Sequence, residues 1–267
     1  GLIRLFADIS GTGKFDAFID LHDVLRSKVL RLFFRFMGVP AYVIEKGRGE
    51  KRSVISGRIR SKLKHSVERY SDTFARAGFP VSLAEGPWII PNPSALSKIA
   101  SMTESKNDLK IGVAPYAKHK LKMWPEEFMI RLLGMIAEKY RVRFFLFGGN
   151  DESEKLAAFQ SMVRDALNTA WNFTLYEELA LMSRLDLMIA MDSSNMHMAA
   201  LTGTKVISIW GGTDTLSGFG AWMQPEEYSI RIPTRELSCR PCTTYGKGKC
   251  KRGDFACMEW LNEEKVF

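Results

Sequence analysis

At 267 residues, with 46% apolar and 25% charged side chains, the chain has the composition of a globular protein large enough for one or two cores, and disorder is excluded. No apolar run is long enough to cross a bilayer as a helix, and the opening Gly1-Leu-Ile-Arg-Leu-Phe6 lacks the pattern of a signal peptide. The formal net charge of +8 favours anionic partners: nucleotide phosphates, nucleic acid or an acidic lipid surface.

In chain order, residues 2–9 carry helical apolar spacing directly after Gly1, which reads as a segment whose beginning lies upstream. Ser10-Gly-Thr-Gly-Lys14 resembles a phosphate loop only superficially, since Asp8 and Phe15 stand where that motif needs Gly and a hydroxyl residue. A strand is expected over 15–22, a helix through Arg26, Leu30 and Phe34 closing at Gly38-Val-Pro40, a strand over 41–45, and a helix over 66–78 with a glycine stop. Between them lies a basic segment, 48–69, that includes Arg58, Arg60, Lys62, Lys64 and Arg69. It has few aromatics, so it suits phosphates on a lipid or sugar better than stacked bases, and nucleic acid is not the expected partner.

Residues 86–107 loosen into a Pro- and Ser-containing connection with one short helix. Beyond it, strands are expected at 110–115, 143–147, 170–173, 187–191 and 206–210, alternating with helices at 125–140, 152–165, 176–184 and 195–201. Such alternation requires a parallel sheet with right-handed crossovers.

The stretch from Ala190 to Gly212 organises the rest. An apolar strand ends on Asp192, the polar elbow Ser193-Ser-Asn195 opens a short helix carrying His197, and a second strand ends at Gly211-Gly212. Ligands of open α/β sheets sit at the carboxyl ends of strands, and a helix N-terminus offers free N–H groups to phosphate. Asp192 either serves such a ligand or caps the helix, and His197 either serves it or satisfies a backbone carbonyl. Lys118, Lys120 and Lys122 form a Lys-rich turn at another strand end, before a helix led by Pro125.

Asp192-Ser-Ser-Asn-Met-His-Met-Ala-Ala200, Gly203 and Ile209-Trp-Gly-Gly-Thr-Asp214 together resemble the signature of glycosyltransferase family 9, the lipopolysaccharide heptosyltransferases. Phe15–Arg26, Val67-Glu-Arg-Tyr70, Lys118–Pro125 and Phe147-Gly-Gly-Asn150 resemble further segments of that family in the same order. The resemblance implies a GT-B fold, two facing doubly wound domains, with a partial acceptor-side domain over 1–105 and a nucleotide-sugar domain over 106–267. It implies that Asp192 contacts the donor sugar, that Ser193, Ser194 and His197 lie along its diphosphate, and that Lys122 approaches the phosphates. Lys118 and Thr213 are expected nearby, with Asp214 beside Thr213. The basic residues Arg58, Arg60, Lys62, Lys64 and Arg69 are assigned to the acceptor side. The reaction implied is transfer of a sugar, with inversion, from a nucleotide-activated donor, ADP-heptose above all, to an anionic lipopolysaccharide core. It needs no metal and takes place in the cytoplasm at the inner face of the membrane.

Two features sit apart. The family's N-terminal strand and glycine loop, with an Asp regarded as the general base, have no counterpart before Phe15, and Asp16, Asp20 and Asp23 are no replacements. The alternative is therefore a non-catalytic nucleotide-binding remnant of the same fold. Cys239, Cys242, Cys250 and Cys257, in a loop over 239–257, could hold a structural zinc or stay as thiols or a partial disulfide. A zinc-ribbon nucleic-acid binder is a third reading, suggested by charge and cysteines.

Overall fold

Short apolar runs separated by amphipathic stretches build two α/β units. The computed structural model describes residues 1–104 and 108–267. One unit comprises residues 1–50 and 63–84, the other residues 51–62 and 85–267. The expected boundary between residues 105 and 106 lies outside the described residues.

The smaller unit contains α1 (Leu2–Ser10), β1 (Phe18–Asp20), α2 (Leu25–Phe36), β2 (Ala41–Val43), the start of α3 (Arg48–Ile55) and α4 (Ser66–Arg76). β1 and β2 pair in parallel, Phe18 opposite Ala41, with α2 as the crossover. Phe34, 2% exposed, is the centre of an aromatic cluster in which Phe6, Phe15 and Phe18 lie 5.0–5.5 Å away. The strand expected over 15–22 is shorter because Asp20 turns the chain. Its buried carboxylate accepts the N–H groups of His22 and Asp23 at 3.0 and 2.7 Å and faces Arg31 at 3.4 Å. α4 starts with a reciprocal cap: His65 Nδ1 accepts from the Val67 N–H, and Glu68 accepts from the His65 N–H.

The larger unit follows with α5 (Pro93–Thr103), β3 (Leu109–Ala114), α6 (Glu126–Lys139), β4 (Val142–Leu146), α7 (Ser153–Met162), β5 (Ala166–Asn168), α8 (Leu175–Met182), β6 (Leu187–Met191), α9 (Ser194–Leu201), β7 (Val206–Ile209), β8 (Ser229–Ile230) and α10 (Ala256–Glu259). Its six strands are all parallel, in the order β5-β4-β3-β6-β7-β8. Helices cover both faces, so the strands read as continuous apolar runs rather than alternating ones. Leu132, Leu133, Leu156 and Phe159 pack on one face, Ile99, Leu181, Met196 and Ala200 on the other. α9 ends at Gly203, φ +89°, where the Gly203 and Thr204 N–H groups reach back to Ala200 and Ala199.

The fifth strand corrects the sequence expectation of 170–173. Ala166–Asn168 pairs with Phe144–Leu146, and Asn168 Oδ1 then accepts the Ala170 N–H at 3.0 Å, turning the chain out of the sheet. Trp171 follows with φ +73°. The aromatic run that reads as a strand is a loop at the sheet's carboxyl edge. Among the described residues no helix is long and apolar enough to cross a membrane.

Candidate functional site

A cavity of about 930 Å³ opens at the carboxyl ends of β3, β4, β5 and β6, walled by the loops that follow them. β6 delivers Asp192 to its floor, and Ser193, Ser194 and His197 from the start of α9 line one wall with Lys118 and Lys122. Lys122 Nζ lies 2.8 Å from Asp192 Oδ2, with the two side chains 17% and 8% exposed. The Lys-rich turn is held in place by backbone: Leu121 is buried, and its carbonyl accepts the Gly212 N–H at 2.8 Å. A Cβ on Gly212 would lie 3.2 Å from that carbonyl oxygen, so glycine permits the close approach. Trp124 fixes the far side of the turn, donating its indole N–H to the Leu261 carbonyl at 2.6 Å.

Ser193 precedes α9, yet its side chain does not cap the helix, and its Oγ is buried without a hydrogen-bond partner among the described residues. Buried polar atoms in folded proteins are nearly always satisfied, so this hydroxyl fits a ligand oxygen. Free N–H groups at a helix start, an unpaired hydroxyl and a lysine make a wall suited to an anion.

The opposite part of the cavity differs in character. Gly148–Glu152 after β4 and Trp171, Phe173, Leu175 and Glu178 around the start of α8 line it, together with Tyr116 and Tyr245. Burial, and then its hydrogen bond to Glu126, pushes the Tyr116 phenol well above its ordinary value, so it stays protonated. Among the described residues no cation pairs with Glu178, and burial pushes its carboxyl up to about 7. None of these except the Phe147–Asn150 turn was marked from sequence. For Glu178 a signal exists: Leu175, Glu178, Leu179 and Met182 share one helical face, and a carboxylate among three apolar residues is out of place.

The structure thus gathers Lys118, Lys122, Asp192, Ser193, Ser194 and His197 around one cavity. Thr213 is not on its wall. It is 1% exposed, and its carbonyl accepts from Arg240 at 3.0 Å. Asp214 is likewise buried and faces Arg240 at 3.1 Å. Lys120 lies over the Phe255 ring. Arg69 is buried, and its guanidinium donates to the Lys64 and Glu45 carbonyls and to Glu50. Lys62 pairs with Glu226 at 2.9 Å and Lys64 with Asp72 at 2.6 Å, while Arg58 and Arg60 are exposed. The four cysteines line one small void, and burial, foremost among the causes, raises the Cys242 thiol and pushes Cys257 up to about 11. Among the described residues, however, no group of three or more His, Cys, Asp or Glu is arranged to hold a metal.

No curated protein sequence matches the chain. Among solved structures it resembles a family 9 glycosyltransferase from Veillonella parvula, with 18% identity and a TM-score of 0.74, over 99% of this chain and 75% of that one. It also resembles the E. coli ADP-heptose lipopolysaccharide heptosyltransferase II, with 19% identity, TM-score 0.63 and coverage of 87% and 73%. A third likeness is to the E. coli heptosyltransferase WaaC with ADP, with 18% identity, TM-score 0.61 and coverage of 90% and 73%. These likenesses show the fold, α/β of the GT-B type with parallel sheets. The model of glycosyltransferase family 9 (heptosyltransferase) matches residues 4–247, and the chain belongs to that family.

Proposed function

We propose that this chain is a heptosyltransferase that takes a heptose from a nucleoside-diphosphate donor, ADP-heptose in the first instance, and transfers it with inversion to an anionic lipopolysaccharide core. The observation that carries the proposal is the Lys122–Asp192 pair beside the unsatisfied Ser193 hydroxyl at the start of α9. When the bond between sugar and diphosphate breaks, negative charge grows on the leaving phosphate. Lys122 and the α9 N–H groups, fixed before the reaction, stabilise that charge without reorganisation. Asp192, an acceptor only, takes hydrogen bonds from donor sugar hydroxyls and keeps the anomeric carbon at the cavity floor.

The sheet order supports the placement of the donor. From β6 to β5 there are three strand spacings, roughly 14 Å at ~4.8 Å each, enough for a nucleoside diphosphate laid across the strand ends. The diphosphate then lies at α9 and the base near Trp171 and Phe173. Of the relatives above, one is an ADP-heptose heptosyltransferase and another is seen with ADP, which agrees with a donor of this class. The acceptor's phosphates, and peripheral attachment to the inner face of the cytoplasmic membrane, are assigned to the positive charge that the chain carries, with Arg58 and Arg60 as exposed contributors. No residue is assigned as the base that deprotonates the acceptor hydroxyl.

The test is release of nucleoside diphosphate from ADP-heptose in the presence of a heptose-deficient core glycolipid, with the anomeric configuration of the product read by NMR. Acceptor-dependent release with inverted configuration supports the proposal. Retained configuration, or no release although the donor binds, contradicts it, and the second result favours the nucleotide-binding remnant.

A further inference from the structure

Each residue of the turn Lys120-Leu-Lys122 is held by a different part of the cysteine-bearing loop 239–257. Lys120 Nζ lies 4.8 Å from the centre of the Phe255 ring. Leu121 shares its small void with the four thiols, and Gly212 ties its backbone to the loop. The Gly212 N–H donates to the Leu121 carbonyl at 2.8 Å, and the Gly212 carbonyl accepts the Cys242 and Thr243 N–H groups at 2.9 and 3.1 Å. Lys122 is held by its stem. A Cβ on Gly246 would lie 2.7 Å from Lys122 Cγ and Cε and 2.9 Å from Cδ, far inside the distance at which carbon atoms pack.

A turn alone accounts for a glycine at this position, since Gly246 adopts φ +81°. Gly253 of the same loop adopts φ +86° for the same reason, but a Cβ there would meet no described atom within 4 Å beyond its chain neighbours. What sets Gly246 apart is therefore the lysine lying across it. We infer that the cysteine-bearing loop is the positioning element of the donor site and that Gly246 is its positioning residue, keeping the Lys122 stem on the path that brings the ammonium to Asp192 and to the donor's phosphates. The inference rests on the proposed role of Lys122 and adds to it the residue that decides where that lysine points.

The physical reason lies in the side chain itself. A lysine ammonium is a point charge on a flexible four-carbon stem, and it stabilises a growing charge best when its position is settled before the reaction. At the ammonium end, Lys122 is held by Asp192 at 2.8 Å. At the stem end, the bare Gly246 backbone is a shelf that no side chain interrupts. Any residue with a Cβ at 246 pushes the stem aside and draws the ammonium off the α9 wall.

The experiment is calorimetric titration of ADP and inorganic pyrophosphate into wild type, Gly246→Asn, Gly253→Asn, Lys122→Ala and the double variant Gly246→Asn/Lys122→Ala, with a urea midpoint for each. Asparagine tolerates positive φ better than most residues, so both asparagine variants are expected to fold, yet each carries a Cβ. Gly246→Asn should bind both ligands about tenfold more weakly than wild type, the loss expected for one charge-assisted hydrogen bond. Gly253→Asn, at nearly the same φ, should bind them as wild type does. In the Lys122→Ala background Gly246→Asn should change neither affinity, because the stem it displaces is gone. If Gly246→Asn does not fold, the double variant should fold as Lys122→Ala does. An affinity loss that persists without Lys122 or is matched by Gly253→Asn, a double variant that stays unfolded, or full binding by Gly246→Asn where Lys122→Ala weakens it, overturns the inference and leaves the donor site standing. Binding by Lys122→Ala as tight as wild type, or no binding by wild type, overturns the proposed role of Lys122 and the inference with it.

Discussion

Asp192 and Lys122 place two opposite charges side by side at the floor of the cavity. Lys122 is only 17% exposed, and Asp192 is 8% exposed at its side chain, so each neutralises the other before a ligand arrives. Removing one partner leaves an uncompensated charge. Lys122→Ala should cost about 2–3 kcal/mol, below the ~3–5 typical of fully buried pairs because Lys122 keeps some contact with water. The double variant Lys122→Ala/Asp192→Ala should be more stable than the sum of the single variants implies, as read from urea midpoints. Additive losses would mean the two charges do not support each other. Glu178 behaves differently. Its carboxyl is raised to about 7 from an unfolded value near 4.5, so folding favours its protonated form. That stability is complete below pH 4.5 and is lost as pH rises through 7. Glu178→Gln should therefore match wild type at pH 4 and exceed it at pH 8, by about 1–2 kcal/mol once screening by solvent on the open side of the cavity is allowed for. Equal stability at both pH values would show that Glu178 is well solvated.

The elements that carry the site were mostly legible because their signals are local and strong. The uninterrupted apolar runs of β3, β6 and β7 mark strands covered on both faces, and the polar elbow after Met191 marks the start of α9. β5 was displaced because Ala170–Phe173 has strand-like residues, while the Asn168 side chain ends the strand earlier. β8 is two residues long and has no pattern of its own, and α3 lacks an apolar stripe. The burial of arginines is not legible from charge patterning, which assumes that charge faces water. Arg69 and Arg240 instead fasten loops from inside. Arg240, 1% exposed, donates to the carbonyls of Gly211, Thr213 and Ile232 and pairs with Asp214 at 3.1 Å, fixing the chain beyond β7. Desolvation lowers its pKa from the ordinary arginine value, and Asp214 opposes that. Arg240→Ala should destabilise the chain by about 3–5 kcal/mol, since the buried carbonyls of Gly211, Thr213 and Ile232 lose a donor and Asp214 keeps only the more distant Arg231, at 3.6 Å, as a counter-charge. A change below about 1 kcal/mol in chemical denaturation would show that the network is replaceable.

On the scale of the whole chain, the sheet order sets the distance between the α9 wall of the cavity and its aromatic rim, and the net charge of +8 favours anionic surfaces. Reversing Arg58 and Arg60 to glutamate should weaken sedimentation with vesicles containing anionic lipid and reduce its dependence on salt. Undiminished binding would remove these residues from the acceptor side. The proposed function requires the cavity beside Asp192 to hold a nucleoside-diphosphate sugar. A thermal-shift panel of ADP-, GDP-, UDP- and CMP-linked sugars on wild type and Asp192→Ala tests it most directly, because a ligand that binds only the folded chain raises its melting temperature. Stabilisation by one nucleotide class, with ADP-heptose strongest, that shrinks in Asp192→Ala is the predicted result. No shift with any donor, or a shift of equal size in the variant, would contradict the account.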